Sequence, residues 1–166
     1  MKNHIDSIYQ TYFLDIYRFL LSLSLNHHTA EDLVQETFLR AHIYLESYRG
    51  ENVKTWLFTI AHHVFIDYYR KHKKMMIKDN AFFSSYLDNT NQTEGEVLLK
   101  EEVLEISNLV DKLPEKQRYA VLLHDFHGFT QIEASKVMGI KQSYFKVLLF
   151  RGRQFIRNRR ENQNDG

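Results

Sequence analysis

The sequence predicts an all-α protein, two small helical domains joined by a flexible linker, the second containing a helix-turn-helix. Three observations predict it. Only 6 glycines and 1 proline punctuate 166 residues, too few for the turns of an all-β chain. Apolar residues recur at intervals of three and four along most of the chain, which is the period of a helix face. One stretch, 76–96, loses that period and turns to Asn, Ser and Thr, the composition of a linker.

With 43% hydrophobic and 14% aromatic residues, the chain is too apolar for disorder and long enough to bury a core. Cysteine is absent, which excludes disulfides and thiolate chemistry and fits a reducing cytoplasm. The longest apolar stretch, Phe19 to Leu25, is too short to span a membrane, and no secretory signal is expected.

Residues 5–25, 29–46 and 53–72 read as three helices. Thr29 stands as the N-cap of the second, with an acid at the third helical position. Leu33, Thr37, Phe38, Ala41 and Leu45 form its apolar stripe; Leu57, Ile60, Ala61, Val64 and Tyr68 form that of the third helix. A shared three-helix core follows from these stripes. The linker 76–96 is expected to hold at most one short helical turn, around 82–87. Periodicity returns from Val97 to about Val110. Pro114 then starts a helix over 115–127 that Gly128 closes. Thr130-Gln131-Ile132-Glu133 is a capping box opening a short helix that stops at Gly139. A long basic helix from about 142 to 160 completes the chain. The domains are thus expected at 1–75 and 97–166.

The net charge of +1 conceals strong segregation. Five cations and no acid lie between Tyr68 and Lys78, and eight cations and no acid between Lys136 and Arg160. Between these runs, Glu94–Glu115 holds seven acids against two lysines. Two basic runs carrying aromatic residues at helical spacing point to contact with nucleic acid at two places. In the second run, the short capped helix, the turn at Gly139 and the longer basic helix have the layout of a helix-turn-helix. Phe145, Leu148, Leu149 and Phe155 are expected to pack inward, leaving Lys146, Arg151, Arg153 and Arg157 for DNA.

Four segments, AEDLVQETFLRA (30–41), YRGENVKTWLFTIAHHVFIDYYRK (48–71), LPEKQRYAVLLHDFHGFT (113–130) and FKVLLFRGR (145–153), stand in the order and at the separations of a known family. The chain resembles the extracytoplasmic-function sigma factors of bacteria over roughly 5–160. The resemblance implies a cytoplasmic protein that binds core RNA polymerase, opens specific promoter DNA and needs no cofactor or metal. Its partners would include an anti-sigma factor, often membrane-anchored, that holds it until an envelope or stress signal arrives.

The second helix would supply the polymerase contact through Asp32, Gln35, Glu36, Leu39, Arg40 and Ile43, a face that mixes acids with apolar groups a solvated face would not carry. The third helix would read the minus-ten element as single strand. Capture of an unstacked base calls for stacking, a polar pocket and cations on the backbone; Trp56 and Tyr69, His63 and Asp67, and Arg70 and Lys71 provide them. His63 stands where the family usually has Asn. The helix-turn-helix would read the minus-thirty-five element through Tyr144, Lys146, Val147, Phe150, Arg151 and Arg153. Val147 and Leu148 replace residues that are commonly small-polar and basic. A linker of 21 residues reaches about 70–75 Å when extended, enough to serve elements two duplex turns, roughly 70 Å, apart.

Two rival readings exist. His124-Asp125 with His62, His63 and Asp67 could form a metal-dependent phosphohydrolase of the HD type. A dimeric helix-turn-helix regulator would explain 113–160 but would leave the first three helices without a role.

Overall fold

The computed structural model describes the backbone of residues 2–50, 52–89 and 94–164 and the side chains of 4–50, 52–72 and 97–162. The regular structure of the described residues is all helical, with no strand: α1 (Lys2–Ser24), α2 (His27–Tyr44), α3 (Val53–Asn89), α4 (Glu94–Val110), α5 (Glu115–Val121), α6 (Gln131–Met138) and α7 (Gln142–Asn164). Contacts divide the chain into two units, Met1–Glu105 and Ile106–Gly166. Among the described residues no helix is long and apolar enough to cross a membrane.

In the first unit α1, α2 and α3 pack pairwise. Ile16, Phe19, Leu20 and Leu21 of α1, Val34 and Phe38 of α2, and Leu57, Phe58 and Val64 of α3 are buried together. Phe19 and Phe58 meet with ring centroids 5.1 Å apart, and Tyr9 stands edge-on to Phe38 at 4.8 Å. The predicted stripes are buried as expected except at Leu45 and Tyr68, which are only partly covered.

Three boundaries differ from the sequence expectation. Thr29 does not cap α2. Leu25 turns the chain at φ 55°, which lets Asn26 take the extended cap conformation and accept the Thr29 amide at 2.9 Å; Asn is the stronger cap. The helix from Val53 does not end at 72. Its backbone leaves helical geometry at His72 and then resumes to Asn89, further than the single turn expected around 82–87. The side chains of 73–96, and with them Lys73, Lys74 and Lys78, lie outside the described residues. The helix after Pro114 widens from Leu122 to Phe126 into a π turn, with the His127 amide donating to the Leu122 carbonyl at 3.0 Å.

The second unit is built of α5, α6 and α7 on one another. Thr130 and Glu133 form the capping box, 3.1 and 3.0 Å. Gly139, at φ 67°, ends α6, with the Gly139 amide on the Lys136 carbonyl and the Ile140 amide on that of Ser135, a Schellman closure. On α7 the buried stripe is Phe145, Leu148, Leu149 and Gly152, continued by Ile156. Phe155, expected to point inward, is 39% exposed; it sits one residue, about 100°, off that stripe. Gly152 allows the closest approach. A Cβ there would stand 2.8 Å from Val121 Cγ2 of α5.

Candidate functional site

In the first unit the exposed face of α2 carries Asp32, Gln35, Leu39 and Ile43. Leu39 and Ile43 are 55% and 62% exposed, although the inner face of the same helix buries much smaller apolar groups such as Ala30 and Ala41. Tyr44, exposed at the end of this face, is a member that the sequence reading missed; its signal is the four-residue step from Arg40. Glu36 and Arg40 are partly covered, and the Arg40 guanidinium lies between two carboxylates. Its Nε donates to Glu36 Oε1 at 3.0 Å and its Nη1 to Asp67 Oδ2 at 3.1 Å. Burial works against the Arg40 charge, but these hydrogen bonds outweigh it and raise its pKa.

On α3, Trp56, His63, Asp67 and Arg70 fall at steps of seven, four and three, so they form one stripe. Trp56 is half-buried against Tyr48, ring centroids 5.1 Å apart. His63, Asp67, Arg70 and Lys71 are exposed. Tyr69 is not brought to this stripe. Two residues past Asp67 it turns to another side of the helix, with its ring 6.0 Å from that of Phe65. Inside the unit, His62 is buried, and burial, aided by the neighbouring His63, lowers its pKa to about 4.

In the second unit the N-terminal half of α7 projects Lys146, Val147, Phe150 and Arg151 outward, Phe150 being 66% exposed. Tyr144 is exposed with the Lys116 ammonium 5.6 Å over its ring. Leu148, in contrast, is buried core. A groove of about 540 Å³ runs between the start of α6 and α7, lined by Gln131, Lys146, Phe150, Arg153, Gln154 and Arg157. The sequence reading missed Gln131 and Gln154; their place after the Thr130 cap and one residue past Arg153 was the available signal.

The cations of this unit divide in two. Arg153 is gripped by Asp125 through two hydrogen bonds, 3.0 and 2.5 Å, and the bond to Asp125 raises its pKa. Arg159 reaches back to the Asn108 carbonyl at 3.0 Å and to Asp111 at 3.3 Å. Arg118, absent from the sequence reading, donates to the carbonyls of Val110, Asp111 and Leu113, satisfying the end of α4. Lys146, Arg151 and Arg157 stay at the surface.

The polar atoms of the His124-Asp125 pair serve the fold. Nδ1 of His124 donates to the Phe129 carbonyl at 2.7 Å, and Asp125 holds Arg153. Among the described residues no group of three or more His, Asp or Glu side chains could hold a metal ion.

Known proteins resemble this chain in family and fold. Sigma-70 region 2 matches residues 8–75 and Sigma-70 region 4 matches residues 104–156. The chain is 42% identical over 153 residues to the ECF RNA polymerase sigma factor SigM of Bacillus subtilis, covering 92% of this chain and 93% of that one. It is 30% identical over 156 residues to the RNA polymerase sigma factor YlaC of the same organism, covering 92% and 89%. Among solved structures, the sigma factor RpoE of Bartonella quintana, in complex with the anti-sigma factor NepR, superposes with a TM-score of 0.68 at 27% identity, covering 90% of this chain and 93% of that one. CnrH, in complex with the cytosolic domain of CnrY, shares the fold with a TM-score of 0.71 at 16% identity, covering 98% and 90%. This chain belongs to the ECF RNA polymerase sigma factors, which bind core RNA polymerase and promoter DNA and direct transcription initiation.

Proposed function

We propose that the protein works as an alternative sigma factor, for an envelope or stress response, with its polymerase and minus-ten interfaces on one domain, 1–75, and its minus-thirty-five interface on another, 97–166, joined through 76–96. Asp32, Gln35, Glu36, Leu39 and Ile43 on α2 meet core polymerase. Trp56, His63, Asp67, Arg70 and Lys71 take the minus-ten element as single strand, with the half-covered indole available for stacking. Lys146, Val147, Phe150 and Arg151 face the minus-thirty-five duplex, and Tyr144 and Arg153 approach its backbone. Val147 and Phe150 bring apolar contact to base edges in place of hydrogen bonds. The protein acts in the cytoplasm and at the nucleoid, and an anti-sigma factor, tethered at the membrane, sequesters it. Phosphodiester chemistry belongs to the polymerase, and no catalytic step is assigned to this chain.

One observation carries the reading: an exposed acidic–apolar face on α2 accompanies a cationic helix-turn-helix in one chain. A dimeric duplex-binding regulator accounts for the second feature alone.

The test is run-off transcription with bacterial core polymerase on genomic fragments. New transcripts are expected only when this protein is added, and if no fragment yields one the proposal fails. In the same assay, replacing Asp32 and Glu36 together by Ala should abolish holoenzyme assembly. Lys146→Ala should weaken use of the upstream element and leave assembly intact.

A further inference from the structure

Arg40 links the two surfaces of the first unit. It projects from α2 one turn beyond Glu36, and its planar fork lets two donors point at two carboxylates at once, one on its own helix and one on α3. The three side chains, Arg40, Glu36 and Asp67, keep 28%, 44% and 52% of their exposure. Ion pairs this wet contribute little to stability. Their effect is on geometry. Asp67 stands on an exposed stripe where a carboxylate would otherwise sample several rotamers, and the Arg40 contact selects one.

We propose that Arg40 is a positioning residue for minus-ten recognition: it acts through Asp67, holding that carboxylate in its reading orientation, and is not itself a contact to polymerase. The inference rests on the reading of Asp67 as a minus-ten residue. Glu36, which shares the guanidinium, keeps Arg40 aligned along α2, so the helix that meets polymerase also sets the geometry of the helix that meets DNA. Lysine in this place would retain charge but lose the fork.

The experiment uses the full chain assembled with core polymerase and a fork-junction DNA that presents the minus-ten element as single strand. Preference for the cognate over a scrambled element is measured beside core affinity. Arg40→Gln should lose about three- to fivefold in preference, as much as an exposed ion pair can add to the population of one rotamer, with core affinity within about twofold of the parent. Asp67→Asn should lose a similar amount, the double variant should lose no more than Asp67→Asn alone, and Arg40→Lys should fall between. A merely structural role would not produce that non-additivity. The proposal is overturned if Arg40→Gln weakens core binding about tenfold or more, if the two losses multiply, or if its preference matches the parent. Should Asp67→Asn leave the preference unchanged, the reading of Asp67 itself fails, a result distinct from the others. If Arg40→Gln does not assemble, Arg40→Lys decides by the same criteria.

Discussion

Arginine does different work in the two units. In Met1–Glu105, Arg40 joins two carboxylates on neighbouring helices, both of them on candidate binding faces. In Ile106–Gly166, Arg118 and Arg159 donate to main-chain carbonyls near the end of α4, and Arg153 is held by Asp125. The first arrangement ties one interface to another. The second builds the scaffold from which Lys146, Arg151 and Arg157 project. A run of cations therefore mixes groups that hold the fold with groups free to meet phosphate, and only contacts separate the two.

The largest contrast between the units should appear in acid. His62 is buried in the first unit, and its pKa in the folded protein, about 4, lies below the ordinary 6.5. Above pH 6.5 neither the folded nor the unfolded chain carries the proton, and this contribution to stability is complete. As pH falls from 6.5 toward 4 the unfolded chain takes up the proton while the folded one resists, so stability declines, by about 3 kcal/mol in all. Trp56 is the single tryptophan and sits in this unit, so its fluorescence follows the relevant transition. Denaturant titrations at pH 7 and pH 4.5 should differ accordingly, and His62→Leu should remove most of the difference. An equal acid loss in parent and variant would place the sensitivity elsewhere.

A smaller effect should be confined to the second unit. Gly152→Ala sets a methyl 2.8 Å from Val121 Cγ2 and 3.5 Å from the Gln117 carbonyl. Val121 is buried and branched, so it cannot swing aside. Overpacking of this kind costs about 1–3 kcal/mol, and the better helix propensity of Ala returns at most about 1. A net loss of roughly 1 kcal/mol is expected in amide exchange of α5 and α7, with the Trp56 transition unmoved. Val121→Ala in the same chain should recover part of the loss. If it recovers nothing, the contact at Val121 is not what limits position 152.

Local signals account for what the sequence made legible. The apolar stripes of α2 and α3, the Thr130–Glu133 box and the turn at Gly139 each lie within a few residues, and each was readable. The start of α2 was not, because it depends on Leu25 adopting a left-handed conformation that no propensity favours. The π turn was likewise hidden, its sequence being an ordinary helical one. The destinations of the arginines were least legible of all. Arg40 and Asp67 are 27 residues apart, Arg153 and Asp125 28, Arg159 and Asp111 48, and helical periodicity says nothing at those separations. Asp67 and Arg153 were readable as candidates for DNA contact, yet the partners that hold them in the free protein were not.

That last pair supplies the smallest prediction and bears most directly on the contrast between scaffold and surface. Asp125 places a carboxylate on Arg153, at the edge of the Lys146–Arg157 groove, so in the free protein one cation of α7 is neutralised. Asp125→Asn should keep the shape and release the charge. The lost pair is partly exposed and contributes at most about 1 kcal/mol to stability, so the unit should remain folded. If Arg153 then reaches phosphate, binding of the free protein to non-promoter duplex should strengthen a few-fold at low salt, and its log–log salt slope should steepen by about 0.9, one further phosphate contact. An unchanged slope with a folded variant would mean that Arg153 serves the scaffold alone, like Arg118 and Arg159. A steeper slope would place it on both sides of the division: Asp125 would then restrain non-specific binding in the free protein until promoter DNA competes for the guanidinium.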